Sequence, residues 1–249
     1  MKISCYLIVG CLMAGAIVES RAATTVNAGS INQVAGPGSL DLTNVLYAVN
    51  FNQEFGTQTV NGVTFVNDTA PPVGFSSVGP QNVTNWQTKP EFGATASDNA
   101  LEEIYSDIRW TNAAVDPPLQ ANMDVTPGLQ YRLQILFYGN HAADDRRWDI
   151  TVDGLQAVDD ISSLGIATGP GLAGLPAYSA NRGLVYRYDF FAPDAQVNVS
   201  MGQLFGTFEG TDPNAIWQGI TLSRIPEPSI FALSAFAVVG LLRRRRFAS

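Results

Sequence analysis

The chain has 249 residues and a formal net charge of −8, and its only two cysteines, Cys5 and Cys11, fall in an N-terminal apolar run. Beyond that run the sequence excludes disulfides, thiolate metal sites and a cysteine nucleophile. Between Ala23 and Ile225, 20 acidic residues stand against 8 basic ones. A surface with this charge repels phosphate backbones, so no nucleic acid is expected as a partner.

Residues 1–22 have the organisation of a secretory signal peptide. Lys2 precedes a long apolar run, and the small residues Ser20 and Ala22 place cleavage after Ala22 or after Ala23. The expected partners of this segment are the general secretion machinery and signal peptidase. Two alternatives remain: an uncleaved membrane helix, although about 20 apolar residues are needed to span a bilayer, and a lipid anchor on Cys11.

Short β-rich runs separated by turn signals fill the part of the chain between its two ends. In chain order these runs are 44–51, 58–66, 104–110, 119–125, 130–138, 147–152, 155–158, 183–191, 195–201 and 215–222. Asn61-Gly62 and Asp153-Gly154 are typical of tight hairpins. The pattern predicts one all-β domain over 23–224, folded as a two-sheet β-sandwich or jelly roll.

Little else in this domain has a regular pattern. At most one helical turn is expected over 97–105, where Ser97 or Asp98 would act as the cap. The segments 68–90 and 162–180 are expected to be long loops, which in compact domains are usually functional or mobile.

The last segment, 225–249, has three parts. Pro226, Glu227 and Pro228 keep the chain extended, because proline does not fit a helix interior. The apolar run 230–242 predicts a transmembrane helix only about 20 Å long, which is short for a hydrocarbon core of about 30 Å. A block of four arginines follows: Arg243, Arg244, Arg245 and Arg246. Such a block stops translocation and holds its end in the cytoplasm.

In order, spacing and terminal position this tail resembles the PEP-CTERM sorting signal of Gram-negative bacteria. In that family a membrane-embedded, transpeptidase-like enzyme called exosortase recognises the Pro-Glu-Pro motif. The resemblance implies exosortase as a partner. It also implies export across the inner membrane, tethering through 230–242, and delivery to the cell envelope or the extracellular matrix. The alternative is an ordinary C-terminal membrane anchor.

Four stretches of the central domain resemble malectin-like carbohydrate-binding domains in order and approximate spacing. They are VLYAVNF at 45–51, PGLQYRLQILF at 127–137, RRWDITVDG at 146–154 and DPNAI at 212–216. The resemblance implies a galactose-binding-like sandwich, carbohydrate binding, and a part in that binding for Asp212. The chain departs from the family at 52–53, where a glycine pair is replaced, and at 137–139.

Carbohydrate recognition needs aromatic faces for the sugar ring and polar partners for its hydroxyl groups. Aromatic residues at strand ends or in loops are therefore candidates, whereas Trp148 and Trp217 alternate with polar residues and are expected in the core. The aromatic candidates are Tyr105, Trp110, Tyr138 and Tyr178, and the candidate carboxylate partners are Asp144, Asp145 and Asp212. Each of these aromatic residues has packing within the domain as its alternative.

Two aspartate pairs flank turns and are candidate ligands of a structural Ca²⁺ ion, because this cation takes six to eight oxygen ligands. They are Asp144-Asp145 and Asp159-Asp160. The alternative is that these carboxylates are simply solvated.

Catalytic signals are weak. His141 is the only histidine, and no Gly-x-Ser-x-Gly motif occurs. Glycoside hydrolases use two carboxylates as acid and base, and Glu102 and Glu209 are such a pair, so a divergent glycoside hydrolase is a further alternative. We predict a non-enzymatic exported protein that binds exopolysaccharide, with a structural or adhesive surface protein without glycan binding as the main alternative.

Overall fold

The computed structural model describes residues 29–51, 56–84, 86, 89–139, 146–162, 182–205 and 212–227. The strands, in chain order, are β1 (Gly29–Val34), β2 (Val45–Asn50), β3 (Gln58–Val60), β4 (Val63–Asn67), β5 (Phe75–Val78), β6 (Gln81–Val83), β7 (Ile108–Trp110), β8 (Leu119–Asp124), β9 (Gln130–Phe137), β10 (Arg147–Val152), β11 (Leu155–Ser162), β12 (Gly183–Phe191), β13 (Gln196–Gly202), β14 (Ile216–Trp217) and β15 (Gly219–Arg224). An α-helix, α1 (Ala96–Ile104), lies between β6 and β7, and a single 3-10 turn (Pro37–Ser39) follows β1.

Several sequence predictions fall on the remaining residues. The signal peptide, most of the 162–180 loop, Asp144, Asp145, Tyr178 and the tail from Pro228 onward lie outside the described residues. No helix in the described part of the chain has the length and apolar character to cross a bilayer.

Two sheets enclose the main core. The larger has the order β1-β12-β9-β15-β2-β4-β3, and the smaller has the order β11-β10-β13-β8-β5. Alternate residues of β9, such as Leu133 and Ile135, meet Ile150 of β10 and Val199 of β13 in this core, because side chains of a strand point to opposite faces in turn. The prediction of an all-β sandwich is confirmed.

The hairpins predicted from Asn61-Gly62 and Asp153-Gly154 are also confirmed. Asn61 and Gly62 have φ angles of 47° and 80° between β3 and β4, and Asp153 and Gly154 have 51° and 72° between β10 and β11. Positive φ at both positions suits Asn, Asp and Gly, and its twist matches that of the flanking strands.

The segment 68–90 is not one long loop, as we expected, because it contains β5 and β6. β5 joins the edge of the smaller sheet beside β8, and β6 pairs with β7. With β14, β6 and β7 form a third, small sheet. These strands are short and polar, so their pairing comes from their partners rather than from a strand pattern of their own.

The helix is longer than the single turn we expected, and it begins earlier. Thr95 is its N-cap: the Thr95 side chain accepts from the backbone N–H of Asp98, and the Asp98 carboxylate accepts from the Thr95 backbone N–H. This reciprocal capping box satisfies two backbone donors that a helix start leaves free. Leu101 and Ile104 then pack on the outer face of the larger sheet.

The two ends of the sandwich differ. At one end the strands are joined by short turns, over 125–129, 153–154 and 192–195. At the other, the connections span 111–118, 138–146, 163–182 and 203–215. The register brings together the strand ends that flank these connections, since the end of β9 pairs with the start of β12 and the end of β13 with the start of β8. We call the second the long-connection end and the first the short-turn end.

Candidate functional site

Two of the predicted sugar-stacking residues, Tyr105 and Tyr138, are wholly buried. Their rings meet edge to face with centroids 6.3 Å apart beneath α1. The Tyr105 hydroxyl donates to the carbonyl of Leu184 at 2.9 Å, and burial raises the Tyr105 pKa well above its usual range. Neither ring has a face open to a ligand, so both belong to the second hydrophobic core, which lies between α1 and the larger sheet. Their flanking loops had suggested exposure, but α1 covers them.

Trp110 remains a candidate. It ends β7 at the long-connection end, where it is half-buried against the main core. It pairs with Ile216 of β14 and Gln81 of β6. Trp148 and Trp217, by contrast, are 1% and 0% exposed, as the sequence predicted for core residues.

Asp212 lies at the same end, but its carboxylate is engaged within the protein. One oxygen accepts from the backbone N–H of Asn214 at 2.9 Å, and the other lies 3.1 Å from Nη2 of Arg146. The Arg146 guanidinium in turn sits over the ring of Trp86, with its central carbon 5.3 Å from the ring centroid. We call Trp86, Arg146 and Asp212 the Arg146 cluster; the sequence did not single out Trp86 or Arg146.

Local backbone pairing builds this cluster. Arg146 and Asp212 form an isolated parallel bridge, and the N–H of Arg147 donates to the Asp212 carbonyl at 3.0 Å. The segment from Asp212 to Ile216 runs toward β7, where Ile216 pairs with Trp110. The amide oxygen of Asn214 accepts from the N–H of Ala113 and holds this segment to the residues after β7. Trp110 therefore borders the segment that holds the Arg146 cluster.

The Arg146 guanidinium is only partly satisfied. Its side chain is 15% exposed, and its Nε and Nη1 atoms are buried without a hydrogen-bond partner. A buried donor without an acceptor costs about 1–3 kcal/mol, and more when it is charged. Such a group is unusual in a native fold, where most buried polar atoms are paired with protein or with ordered water.

Arg109, a second arginine at this end, has an acceptor for each of its three side-chain nitrogens. The Nε and Nη2 atoms of Arg109 both contact the Asp68 carboxylate at 2.7 Å, and its Nη1 donates to the Gly79 carbonyl. Burial raises the Asp68 pKa, and the Arg109 charge opposes that rise without cancelling it. This pair ties β7 to the segment after β4, so we assign it a structural role.

Part of the predicted Ca²⁺ site can be compared with the structure. Asp159 and Asp160 approach Asp149 so that their carboxylate oxygens lie within 4.8 Å of one another. An irregularity in the β10–β11 register places them opposite Asp149, which the sequence did not single out. We call these three residues the aspartate cluster.

Asp149 is already hydrogen-bonded. One of its carboxylate oxygens accepts from the backbone N–H groups of Leu204 and Phe205, and the other accepts from that of Asp160. These contacts fix the start of the connection that follows β13. They give the aspartate cluster a structural role whether or not it also holds a cation.

The C-terminal tail leaves from the short-turn end. The N–H of Ile225 donates to the carbonyl of Gln130 at 2.9 Å, just beyond the last pair of β15. Pro226 and Glu227, the first two residues of the sorting motif, are exposed. They border a groove of about 540 Å³ that is also lined by Asn44, Val45, Leu46 and Arg224.

No family model matches the chain, and no curated protein matches its sequence. Fourteen chains of solved structures do match. The plant receptor-like kinase ANX2 is 16% identical with a TM-score of 0.53, over 74% of this chain and 49% of that one. The extracellular domain of ANXUR2 from Arabidopsis thaliana is 15% identical with a TM-score of 0.53, over the same shares.

The chain thus spans about half the length of these structures. The ectodomain of ANX2 from Arabidopsis thaliana gives a TM-score of 0.50 at 15% identity, over 74% of this chain and 50% of that one. At such identities the likeness establishes the fold alone. The shared fold is that of the extracellular domains of ANX2 and ANXUR2, and it agrees with the all-β sandwich predicted from the sequence.

Proposed function

We propose that this chain is an exported envelope or extracellular-matrix protein that binds carbohydrate at its long-connection end and is sorted by an exosortase through its C-terminal tail. The domain acts by binding and not by catalysis. Its partners are the secretion machinery and signal peptidase during export, exosortase during sorting, and an exopolysaccharide afterwards. Until the tail is processed, 230–242 tethers the chain to the inner membrane.

One observation carries this proposal. The tail leaves the sandwich at the short-turn end, whereas Trp110 and the Arg146 cluster lie at the long-connection end. A tether at the first end directs the second away from the membrane, where a matrix polymer is reached. Ligands of proteins commonly bind on connections held by a rigid scaffold.

The position of the sorting motif also fits processing by an exosortase. Pro226 and Glu227 are exposed and follow directly on the last backbone hydrogen bond of the domain, made by Ile225. An exposed, extended motif is what a processing enzyme requires. The Glu227 carboxylate avoids hydrocarbon because charge is costly there, so it places the motif at the membrane interface.

A glycan array probed with the full-length protein in detergent tests the binding function. We expect saturable binding to a subset of glycans. A structural or adhesive protein without glycan binding would give none, and release of reducing sugar from a bound glycan would identify a glycoside hydrolase.

Two aromatic variants locate the binding surface. Trp110→Ala should weaken binding roughly two- to tenfold, the range of one aromatic contact. Phe191→Ala removes an aromatic side chain that is 42% exposed at the short-turn end and should change nothing. Equal effects of the two variants would contradict the assignment to the long-connection end.

A further inference from the structure

The short-turn end carries exposed apolar side chains on both of its sheets. In the larger sheet Leu46, near the start of β2, and Phe191, at the end of β12, are 48% and 42% exposed. Beside the smaller sheet Val73, just before β5, and Leu155, at the start of β11, are 99% and 62% exposed. Single exposed apolar residues are ordinary on a protein surface, so the relevant feature is the position that these four share.

Two of these side chains flank the point at which the tail leaves the domain. The N–H of Ile225, just after β15, donates to the carbonyl of Gln130 at the start of β9, and Gln130 pairs with Phe191. On the other side of β15 lies β2, which carries Leu46. Neighbouring strands are about 5 Å apart, so Leu46 lies about one strand and Phe191 about two strands from the tail exit.

The other two side chains mark opposite edges of the smaller sheet. β11, which begins with Leu155, and β5, which follows Val73, are the outermost strands of the order β11-β10-β13-β8-β5. The exposed apolar side chains are therefore spread over the whole end of the sandwich and are not gathered in one cleft. Such a spread suits a flat partner, whereas a bound helix or extended peptide occupies a single groove or sheet edge.

Two grooves connect the tail exit with part of this surface. Leu46 lines the groove of about 540 Å³ that borders Pro226 and Glu227. It also lines a second groove, of about 420 Å³, whose other side includes Val73 and Tyr131. The apolar surface thus continues from the tail exit toward the smaller sheet.

The length of the tail brings this end close to a bilayer. Five residue steps separate Ile225, which is hydrogen-bonded to the domain, from Ile230, where the predicted membrane helix begins. A fully extended chain covers at most about 18 Å in five steps. A folded domain is about 30 Å across, so none fits between the short-turn end and the membrane while the tether is in place.

We propose that the short-turn end docks on the surface of a zwitterionic phospholipid bilayer while the tail is tethered. The inference rests on the membrane tether of the proposed function and adds a contact made by the folded domain itself. The four apolar side chains enter the interface, where leaving water stabilises them. Docking keeps the long-connection end directed away from the membrane and holds the sorting motif at the membrane surface.

Charge at this end selects the type of lipid. Asp124, Asp194 and Glu227 are exposed there, against the exposed Arg224. The negative surface potential of anionic lipids repels this excess of acidic groups, whereas a zwitterionic headgroup carries no net charge. The repulsion acts over the Debye length, which is about 10 Å at 0.1 M salt and about 3 Å at 1 M, so high salt should weaken it.

The test reconstitutes the full-length chain through its tail into phosphatidylcholine vesicles. An expression host without exosortase keeps the tail, and loss of the predicted signal peptide with Cys5 and Cys11 leaves an introduced cysteine as the single thiol. A bimane label on Val73→Cys reports contact with lipids that carry a nitroxide quencher near the headgroup. Its fluorescence should fall by about half, because interfacial side chains reach about 5–10 Å into the bilayer. The control label on Val115→Cys, 76% exposed at the long-connection end, should keep its fluorescence.

A second comparison separates docking from mere nearness imposed by the tether. Leu46→Ser, Leu155→Ser and Phe191→Ser together should remove the quenching of the label at the short-turn end, while the protein still floats with the vesicles. The control Val78→Ser with Phe205→Ser removes exposed apolar side chains elsewhere and should change nothing. Circular dichroism shows whether each variant is folded, and the comparison of the two labels remains informative should the triple variant be unfolded.

The lipid composition supplies a third comparison. Replacing part of the phosphatidylcholine with phosphatidylglycerol should reduce the quenching, and salt at about 1 M should restore it. Quenching that increases with phosphatidylglycerol overturns the choice of a zwitterionic surface.

The failures are distinguishable. A protein that floats with the vesicles but shows equal quenching at both labels, or none, overturns this inference and leaves the tether standing. Quenching that survives the triple variant has the same meaning, because the tether alone then explains it. Contact that appears only when exosortase is added to the vesicles assigns this surface to a protein partner and overturns the lipid contact. A full-length protein that does not float with the vesicles overturns the tether of the proposed function and this inference with it.

Discussion

Gly183→Ala offers a direct check that Tyr105 is a core residue and not a ligand contact. Gly183 begins β12, and a Cβ atom added there would lie 2.5 Å from Cζ of Tyr105 and under 3.0 Å from two more atoms of that ring. The ring cannot retreat, because it is wholly buried and its hydroxyl is held by the Leu184 carbonyl. Phe92 packs against it edge to face at 5.8 Å.

The expected loss of stability follows from these contacts. Overpacking a filled core costs about 1–3 kcal/mol, and a displaced hydroxyl loses a hydrogen bond worth about 1 kcal/mol. We therefore expect Gly183→Ala to lower the free energy of unfolding by about 2–4 kcal/mol. Urea denaturation followed by tryptophan fluorescence measures it.

A matched control and a double variant sharpen the experiment. Gly38→Ala is the same substitution where a Cβ would meet no atom within 4 Å, so its effect should stay within about 0.5 kcal/mol. In a Tyr105→Ala background the clash has no partner, and Gly183→Ala should become much less destabilising. Equal effects of Gly183→Ala and Gly38→Ala, or strict additivity with Tyr105→Ala, would refute the packing described for α1.

Three further predictions concern stability. Thr95→Ala removes the capping box and should cost about 1 kcal/mol in urea denaturation; no loss would contradict the helix start. Burial raises the Asp41 pKa, but hydrogen bonds from Thr43 and the hydrogen bond and charge of Arg132 together outweigh that rise, so the pKa is lowered. The stabilising contribution of Asp41 is therefore present above about pH 3.8 and is lost as the pH falls through its lower folded pKa. The stability difference between wild type and Asp41→Asn should shrink over that pH range. A difference that stays constant would contradict the pairing of Asp41 with Arg132. If the aspartate cluster binds Ca²⁺, the melting temperature should be higher in millimolar Ca²⁺ than in EDTA. The gain in the free energy of unfolding is about 2.7 kcal/mol at a hundredfold excess of Ca²⁺ over its dissociation constant. Identical melting temperatures would contradict a Ca²⁺ site.

The fold was largely predictable because its signals are local. The alternation in β9 and the turn residues at Asn61-Gly62 and Asp153-Gly154 each fix a strand or hairpin from a few neighbouring residues. β5 and β6 carry no such signal, since three or four mostly polar residues become a strand only beside a partner.

The helix was underestimated for a similar reason. Its apolar residues, Ala100, Leu101 and Ile104, form a narrow stripe, and Glu102 interrupts the polar face by being buried. Glu102 accepts from the backbone N–H of Phe92 at 2.7 Å, a contact that the residues around Glu102 in the sequence do not predict. The available signal was Thr95 followed three residues later by Asp98, the pair that forms the capping box.

The candidate site depends on contacts between distant parts of the chain. Arg146 and Asp212 meet through an isolated bridge, and the aspartate cluster depends on an irregular strand register. A single sequence shows residue types but not such pairings. The resemblance to malectin-like domains drew attention to Asp212, yet the unsatisfied cation beside it became visible only in three dimensions.

The sorting role of the tail is tested most directly by its processing in the native cell. Pro226, Glu227 and Pro228 are replaced together by alanine, and the mature mass and the location of the protein are compared with wild type. The variant should be exported, keep its uncut mass and stay in the inner membrane through 230–242. A wild-type mass and location for this variant would contradict sorting by exosortase.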